Sequence, residues 1–368
     1  MTAEAALGVT AVVVAWDDAD VLADCLAALE AQDHPELEVV VVDNASADAT
    51  LEVARRHVDA ARRHPVRIVA NERNEGLCGA VNRVLAAGTR AAVLLVNPDA
   101  VLAPDAVRLL AAELGADPRC GSVQPRLLRP VAGGPDAIDT TGHVRTRPRL
   151  TLNRGQGRPA SEHAPSAGEV AGASGAAVLH RRAMLDDVAR REGGRTEWLT
   201  EDLVAYFEDV ELDLRARMRG WTARYAPSAV GWHARAGASR RRPRRIHVLN
   251  VANHLLVTLG TEPPRALLRD LPVLLPVWLA RLVLAGLRRP TAILPILWRL
   301  RLVPVFLRRG RADRARATVD VVATLDALVV PLPRGWVGDA VRRGRGGGGA
   351  ARRPLRRRPG SYSAKNAK

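Results

Sequence analysis

Acidic side chains follow two apolar runs of this chain and recur in a later cluster. Asp43 comes directly after one run of valines, Asp99 comes shortly after another, and Glu208 and Asp209 stand near the start of a predicted helix. Both runs are continuous and rich in β-branched residues, as in strands that are covered on both faces. Ligands of open α/β sheets bind at the carboxyl ends of such strands. Carboxylates there can hold a divalent cation, hold a ribose and accept a proton, which is what a metal-assisted reaction on a nucleotide diphosphate needs.

Strand-like and helix-like patterns alternate in the elements that must position these residues. The first 120 or so residues predict four strands and four helices: strands at 9–15, 37–42, 66–70 and 91–96, and helices near 18–31, 48–63, 76–88 and 104–115. Strands that alternate with helices indicate a mostly parallel sheet with helices on its faces. We expect this half to bind the nucleotide.

The middle of the chain predicts shorter elements around a site. Residues 120–175 are rich in Gly, Pro, Arg and Thr, which favours short antiparallel strands and loops. Residues 168–179 are interpreted as one further strand. A helix is predicted to begin near Phe207 and to end at Gly220, and a strand then returns towards His233.

Seven segments, in this order, resemble the motifs of family 2 inverting glycosyltransferases of the GT-A fold, above all its bacterial rhamnosyltransferase-like branch. These segments are residues 12–17, 41–48, 71–77 with Asn82, 95–102, 172–176, 206–212 and 232–233. Each is a weak signal alone, whereas the ordered set is specific. The resemblance implies an α/β fold with a Rossmann-like, nucleotide-binding mixed sheet flanked by helices. It also implies a metal-dependent inverting transfer from a nucleotide-diphosphate donor, with dTDP-rhamnose favoured, to a glycan or lipid-linked saccharide in cell-wall or surface polysaccharide synthesis.

The resemblance assigns a metal-ligating role to two residues. Asp99 matches the last acid of the family's Asp-x-Asp motif, which ligates Mg2+ or Mn2+, and Asn97 stands in place of the first acid. His233 matches a histidine that completes the metal or diphosphate site. From the residues alone, Asp99 is equally a turn or helix-capping aspartate, and a lone histidine is more often structural.

Nucleotide-sugar binding is implied for Trp16, Asp43, Asn44, Arg73 and the Asn97 named above. Asp43 would hydrogen-bond the pyrimidine or ribose, and Trp16 would lie beside the base. Arg73 would reach the diphosphate, because its planar fork suits phosphate recognition. The alternatives are an Asx turn for Asp43, a core position for Trp16 and a solvated surface position for Arg73.

Asp209 matches the general base of the family, and Glu208 is its acceptor-orienting neighbour or the runner-up base. An inverting transfer needs a carboxylate that deprotonates the attacking hydroxyl of the acceptor. The simpler alternative is that these acids only complement the dipole of the helix that begins there.

The composition favours an anionic partner. The chain has 368 residues, 47% of them hydrophobic and 3% aromatic, and a net charge of +16, with arginine clusters at 240–245 and 342–358. A membrane surface or a phosphorylated substrate fits this charge. Two other readings fit poorly: a nucleic-acid-binding protein, since no base-reading module is present, and a nucleotidyltransferase, since no Gly-rich phosphate loop opens the first helix. We therefore predict no nucleic-acid partner.

Domain limits follow from changes in composition. We predict a catalytic domain at 8–245, a helical membrane-associating region at 246–338 and a disordered Arg/Gly-rich tail at 339–368. The apolar runs 271–287 and 292–307 are interrupted by Pro and Arg, which favours interfacial helices over membrane spans. Helices that pack back on the catalytic domain are the alternative. Three widely spaced cysteines and no signal-like start predict a cytoplasmic protein, peripheral at the inner face of the membrane.

Overall fold

The computed structural model describes residues 6–131, 133–163, 165–236 and 243–331 of the protein. The arginines at 240–242 and the tail that the sequence predicts to be disordered lie outside the described residues.

A ten-stranded mixed sheet forms the centre of the described part of the chain. Its strands are β1 Val9–Ala15, β2 Leu37–Asp43, β3 Val66–Ala70, β4 Ala92–Val96, β5 Ala100–Leu102, β6 Cys120–Arg129, β7 Ala137–Thr140, β10 Gly168–Val170, β11 Ala177–Arg181 and β14 Thr222–His233. The main path runs β10-β14-β6-β11-β4-β1-β2-β3, with β5 paired to β14 and β7 paired to β6.

The first half of the sheet is parallel, as predicted. β1 pairs in parallel with both β2 and β4, and β2 pairs in parallel with β3. The helices between these strands are α1 Leu22–Glu30, α2 Thr50–Ala60, α3 Gly76–Ala87 and α4 Ala106–Gly115. Apolar clusters lie on both faces of the sheet, which is why β2 and β4 are buried almost throughout. The parallel direction brings the ends of β2 and β4 to the same edge.

The second half differs from the prediction at one point. The single strand predicted at 168–179 is wrong, because β10 lies at the sheet edge on β14 whereas β11 lies between β4 and β6. The connecting loop, residues 171–176, leaves the sheet where Gly172 packs against Asp213. A Cβ atom at Gly172 would lie only 2.0 Å from Asp213 Oδ2, so the backbone approaches as closely as only glycine allows.

The remaining elements cover the site and the C-terminal part of the chain. They are β8 His143–Thr146, β9 Thr151–Asn153, α5 Arg182–Val188, β12 Arg190–Glu192, β13 Arg195–Glu197, α6 Glu208–Met218, α7 Pro243–Thr261, α8 Pro264–Arg288, α9 Ile293–Arg299, α10 Val303–Ala315, α11 Val321–Ala327 and β15 Val329–Val330, with 3-10 turns at Glu201–Leu203, Pro290–Ala292 and Leu300–Leu302. The predicted helix after Phe207 corresponds to α6.

Three of the C-terminal helices pack on the sheet-bearing part of the protein. Leu256 of α7, Phe306 of α10 and Leu325 of α11 are buried in the same apolar cluster as Leu212 of α6. In addition, β15 forms a parallel pair with β8. These elements therefore agree with the alternative prediction, in which the C-terminal helices pack back on the catalytic domain.

Helix α8 is mostly exposed and continuous over 25 residues. The prolines at 272 and 276 lie inside it: each removes one backbone hydrogen bond, but the turns on either side continue. By length and composition, two helical stretches in the described residues are long and apolar enough to cross a membrane, Pro264–Arg288 and Pro290–Ala315.

Part of the arginine excess is used inside the fold. Arg149 is buried and pairs with Glu262 at 3.1 Å and with Asp270 at 2.7 Å. Arg145 on β8 also pairs with Glu262. These ion pairs join β8 and the loop after it to Glu262, just after α7, and to Asp270 of α8. Charges buried this deeply need a partner of opposite charge, which these pairs supply.

Candidate active site

Loops that follow β1 and β2 form one wall of the site. Trp16 is half-buried directly after β1, and the guanidinium of Arg245 lies 5.0 Å from the centroid of its ring. Asp17 adopts a left-handed conformation with φ of 57° and accepts a hydrogen bond from the Ala47 amide at 2.7 Å. The two loops are therefore tied to each other.

Asp43 is buried at the end of β2, and one of its carboxylate oxygens is available to a ligand. Its Oδ2 accepts a long hydrogen bond from the Ser46 amide at 3.4 Å, while its Oδ1 is buried and has no hydrogen-bond partner among the described residues. An unsatisfied buried acceptor costs about 1–3 kcal/mol. Such an atom is expected where a substrate hydroxyl or base supplies the missing donor.

Asn44 uses its side chain to hold the next loop. Its Oδ1 accepts hydrogen bonds from Asn71 Nδ2 and the Glu75 amide, both at 3.0 Å, and its Nδ2 donates to Asn74 Oδ1 and Gly76 O at 3.2 Å. With every polar group engaged, Asn44 shapes the wall of the site. The loop that it holds carries Arg73, which is exposed.

Asp99 and His233 face each other beyond the end of β4. Asp99 Oδ1 lies 3.2 Å from His233 Nε2, and Asp99 Oδ2 accepts from the Ala236 amide at 2.6 Å. His233 Nδ1 lies 2.9 Å from Asp139 Oδ2 on β7. Burial alone lowers the pKa of His233, but the hydrogen bonds to Asp139 and Asp99 raise it to about 9. The structure thus unites the two predicted ligands and adds Asp139, which the sequence reasoning missed.

Glu208 and Asp209 begin α6 with different surroundings. Glu208 is buried, its Oε2 has no hydrogen-bond partner among the described residues, and burial together with the charge of Asp209 raises its pKa to about 8. Asp209 Oδ2 accepts from the Gly175 amide at 2.9 Å. Near neutral pH, Glu208 therefore carries a proton.

A buried histidine lies between Asp209 and a second aspartate of the same helix. His143 Nε2 is 3.6 Å from Asp209 Oδ2, and His143 Nδ1 is 3.4 Å from Asp213 Oδ2. Burial opposes its charge, yet Asp209 and Asp213 together raise the pKa of His143. The sequence reasoning missed both partners. The four-residue spacing of Asp209 and Asp213 on one helix face was the available signal, whereas nothing local marks His143.

Loop 172–176 connects the two ends of the site. The Asn97 amide donates to Ala176 O at 2.9 Å, and Asp213 Oδ2 accepts from the Ala173 amide at 2.9 Å. Asn97, Glu208 and Asp209 line one pocket at the carboxyl ends of β1 and β4. Asn97, two residues before Asp99, and the two predicted base candidates therefore face the same cavity.

Comparisons with known proteins show the family of the chain. A family model described as "Glycosyltransferase like family 2" matches residues 6–246. The poly-beta-1,6-N-acetyl-D-glucosamine synthase of Staphylococcus epidermidis is 21% identical over 227 residues, which are 61% of this chain and 49% of that protein. The chain thus spans about half the length of this curated relative.

Two solved structures share the fold at low identity. S. aureus TarS 1-349 in complex with UDP-GlcNAc has a TM-score of 0.51 at 16% identity, with 92% of each chain covered. GalNAc-T7 with UDP, GalNAc and Mn2+ has a TM-score of 0.52 at 14% identity, with 70% of this chain and 48% of that chain covered.

Proposed function

The chain belongs to the glycosyltransferase-like family 2 and has the GT-A fold, and from this premise we propose that it is an inverting glycosyltransferase. The reaction moves a sugar from a nucleotide-diphosphate donor to a glycan or lipid-linked saccharide acceptor of a surface polysaccharide.

The observation that carries the proposal is a set of four acidic residues that follow the carboxyl ends of β2 and β4 or begin α6. Asp43 brings an unpartnered buried oxygen from β2, and Asp99 lies just beyond β4. Glu208 and Asp209 line the same pocket as Asn97. Glu208 is buried, with an oxygen unpartnered among the described residues, beside the like charge of Asp209, which is unfavourable for a purely structural pair, because like charges in a buried site repel each other.

Each of these residues has a task that its surroundings suit. Asp43 accepts a hydrogen bond from the ribose or base, beside Trp16. Asp209 takes the proton of the acceptor hydroxyl as that oxygen attacks the anomeric carbon opposite the departing nucleotide. Glu208, protonated near neutral pH, donates a hydrogen bond that orients the acceptor.

The residues present fit Mg2+ or Mn2+. Asp99 Oδ1 and His233 Nε2 face each other at 3.2 Å, and Asp139 holds the other ring nitrogen, as a carboxylate does behind a metal-ligating histidine. No group of three or more His, Cys, Asp or Glu side chains suited to a metal occurs in the part of the chain that the structure describes. Because Asp99 and His233 are only two ligands, the remaining positions around the ion would be filled by diphosphate oxygens and water, which hard cations prefer. When bound, the ion neutralises the charge of the leaving diphosphate.

A donor screen by nucleotide release tests the reaction. The resemblance to the rhamnosyltransferase-like branch favours dTDP-rhamnose, so we expect the fastest release from this donor, and only with Mg2+ or Mn2+ present. UDP-galactose, UDP-galactofuranose, GDP-mannose and UDP-GlcNAc are the competitors, each assayed with a saccharide-lipid acceptor and with EDTA. Metal-independent release, or release from no donor together with strongly salt-dependent DNA binding, would contradict the proposal.

The proposed site of action is the inner face of the cytoplasmic membrane. Helices α8 and α9 expose large apolar side chains, among them Leu268, Leu279 and Leu287 at 72%, 54% and 77%, and Trp298 at 59%. Arg288 is also exposed. Exposed apolar area with arginines at its margin is what an interfacial helix presents to anionic lipid.

Liposome co-sedimentation of the full chain tests this surface. A truncation before α7 is unsuitable, because it removes Leu256 from the core. We expect the combined Leu268→Ser, Leu279→Ser and Leu287→Ser variant to bind anionic vesicles at least about tenfold more weakly, since a buried leucine contributes about 1.5–3 kcal/mol. The control is Val131→Ser, at an exposed valine distant in sequence from α8. Equal binding of all three proteins would refute the membrane role of α8.

A further inference from the structure

The backbone just before the two acids of α6 is held in an unfavourable conformation. Val204, Tyr206 and Phe207 have φ angles of 66°, 68° and 71°, in the left-handed region that favours glycine. Such residues persist only where the surroundings determine them, and they concentrate at functional sites. The next residue in the chain is Glu208, so the strained loop sets where the carboxylates of α6 begin.

One side chain of α7 holds this loop. Asn253 is fully buried, and the two N–H groups of its Nδ2, one of them shared, serve three carbonyl oxygens of the loop: Leu203 at 2.9 Å, Ala205 at 3.0 Å and Tyr206 at 2.8 Å. Among side chains of this size, only a protonated aspartic acid also offers both a donor and an acceptor, and it has one donor hydrogen where the amide has two.

Arg299 of α9 fixes the orientation of that amide. Its Nη2 donates to Asn253 Oδ1 at 2.8 Å and to Asp202 O at 2.6 Å. Because the amide oxygen faces a permanent cation, the amide nitrogen must face the loop carbonyls. Arg299 therefore contacts both Asn253 and Asp202, which lies just before the loop.

We propose that Asn253, oriented by Arg299, is a positioning residue for Glu208 and Asp209. The inference rests on the proposed function for the reaction that these acids serve. Both positioning residues lie beyond residue 246, where the family match ends. The C-terminal helices thus complete the active site from behind, in addition to their exposed apolar face.

The loss of Asn253 has a definite expected consequence. Three carbonyl groups lose their donor, the left-handed residues relax, and the carboxylates of α6 move from their working positions. Misplacement of about 1 Å can cost about 10²-fold in rate. Asp43 and Asp99 have no hydrogen bond or ion pair with Asn253 among the described residues, so nucleotide binding should not change.

The test compares Asn253→Ala with Asn250→Ala in the full chain. Asn250 lies one turn earlier on α7, and among the described residues its Nδ2 donates only to Ile246 O of the same helix, so it is a matched control. For Asn253→Ala we expect kcat to fall about 10- to 100-fold, with donor KM and UDP or dTDP affinity within about twofold. Hydrogen exchange of the segment 199–212 should be faster, with the strands unchanged.

The exchange readout separates this inference from the proposed function, because it needs no substrate. A wild-type protein that transfers no sugar refutes the function, and the exchange of 199–212 still decides the role of Asn253. Asn253→Ala that matches Asn250→Ala in kcat and exchange overturns the inference. If Asn253→Ala does not fold, Arg299→Lys decides: faster exchange of 199–212 supports the inference, and wild-type exchange overturns it.

Discussion

Asp209→Asn is expected to lower kcat by about 10²- to 10⁴-fold, the usual contribution of a general base. Asparagine keeps the shape of the side chain. Its Oδ1 can still accept the hydrogen bond that the Gly175 amide donates to Asp209 Oδ2 at 2.9 Å. The fold and the donor affinity should therefore be preserved. Steady-state kinetics with saturating donor and metal measure the effect, and the thermal unfolding midpoint checks the fold.

Glu208→Gln is the matched control. The pKa of Glu208 is raised to about 8, so below that pH the wild-type side chain is a neutral acid that an amide imitates. Turnover of Glu208→Gln should stay much closer to wild type at pH 7 than that of Asp209→Asn. The opposite ranking of the two variants would move the general base to Glu208.

Asp99→Asn should reduce metal-dependent turnover by at least about 10²-fold, because an electrostatic contribution of several kcal/mol at the leaving diphosphate disappears. The amide oxygen can still accept the hydrogen bond that Ala236 N donates to Asp99 Oδ2, whereas the amide nitrogen would replace the oxygen that faces His233 Nε2. Asp99→Ala removes that hydrogen bond as well and should be equally inactive but less stable. Initial rates over a Mn2+ titration measure the effect.

Asp105→Ala provides the control for Asp99. This aspartate lies six residues further along, at the N-cap of α4, where its side chain makes no capping hydrogen bond. Its replacement should leave the Mn2+ dependence unchanged. Wild-type activity of Asp99→Asn at saturating Mn2+ would remove Asp99 from the metal site and leave it as a partner of His233 alone.

The local sequence pattern was sufficient to predict the elements of the parallel half of the sheet. Strands β1 to β4 and helices α1 to α4 agree with the predicted positions to within a few residues at each end, because each apolar run is buried by helices of its own neighbourhood. The ends of β2 and β4 followed directly, since parallel strands bring their carboxyl ends to one edge. The positions of Asp43 and Asp99 at that edge therefore followed from the sequence.

Residues whose role depends on a distant partner were not found in this way. Asp139 acts on a histidine 94 positions away, and His143 lies between aspartates 66 and 70 positions away. Asn44 was read as a binding residue, whereas its hydrogen bonds to the loop at 71–76 engage its whole side chain. No spacing rule connects such pairs, because the connection exists only after the sheet has formed.

The sequence by itself determined the family, the parallel half of the sheet and the acids at its edge, because these depend on periodicity and on an ordered set of short motifs. Only the tertiary structure decided that residues 168–179 form two strands with a loop between them, and that α7 packs into the core while α8 stays exposed. It alone brought Asn253 to the strained loop before Glu208. The physical reason is that burial and buried hydrogen bonds depend on two elements in contact. The sequence pattern predicts which face of an element is apolar, but it does not predict which other element covers that face.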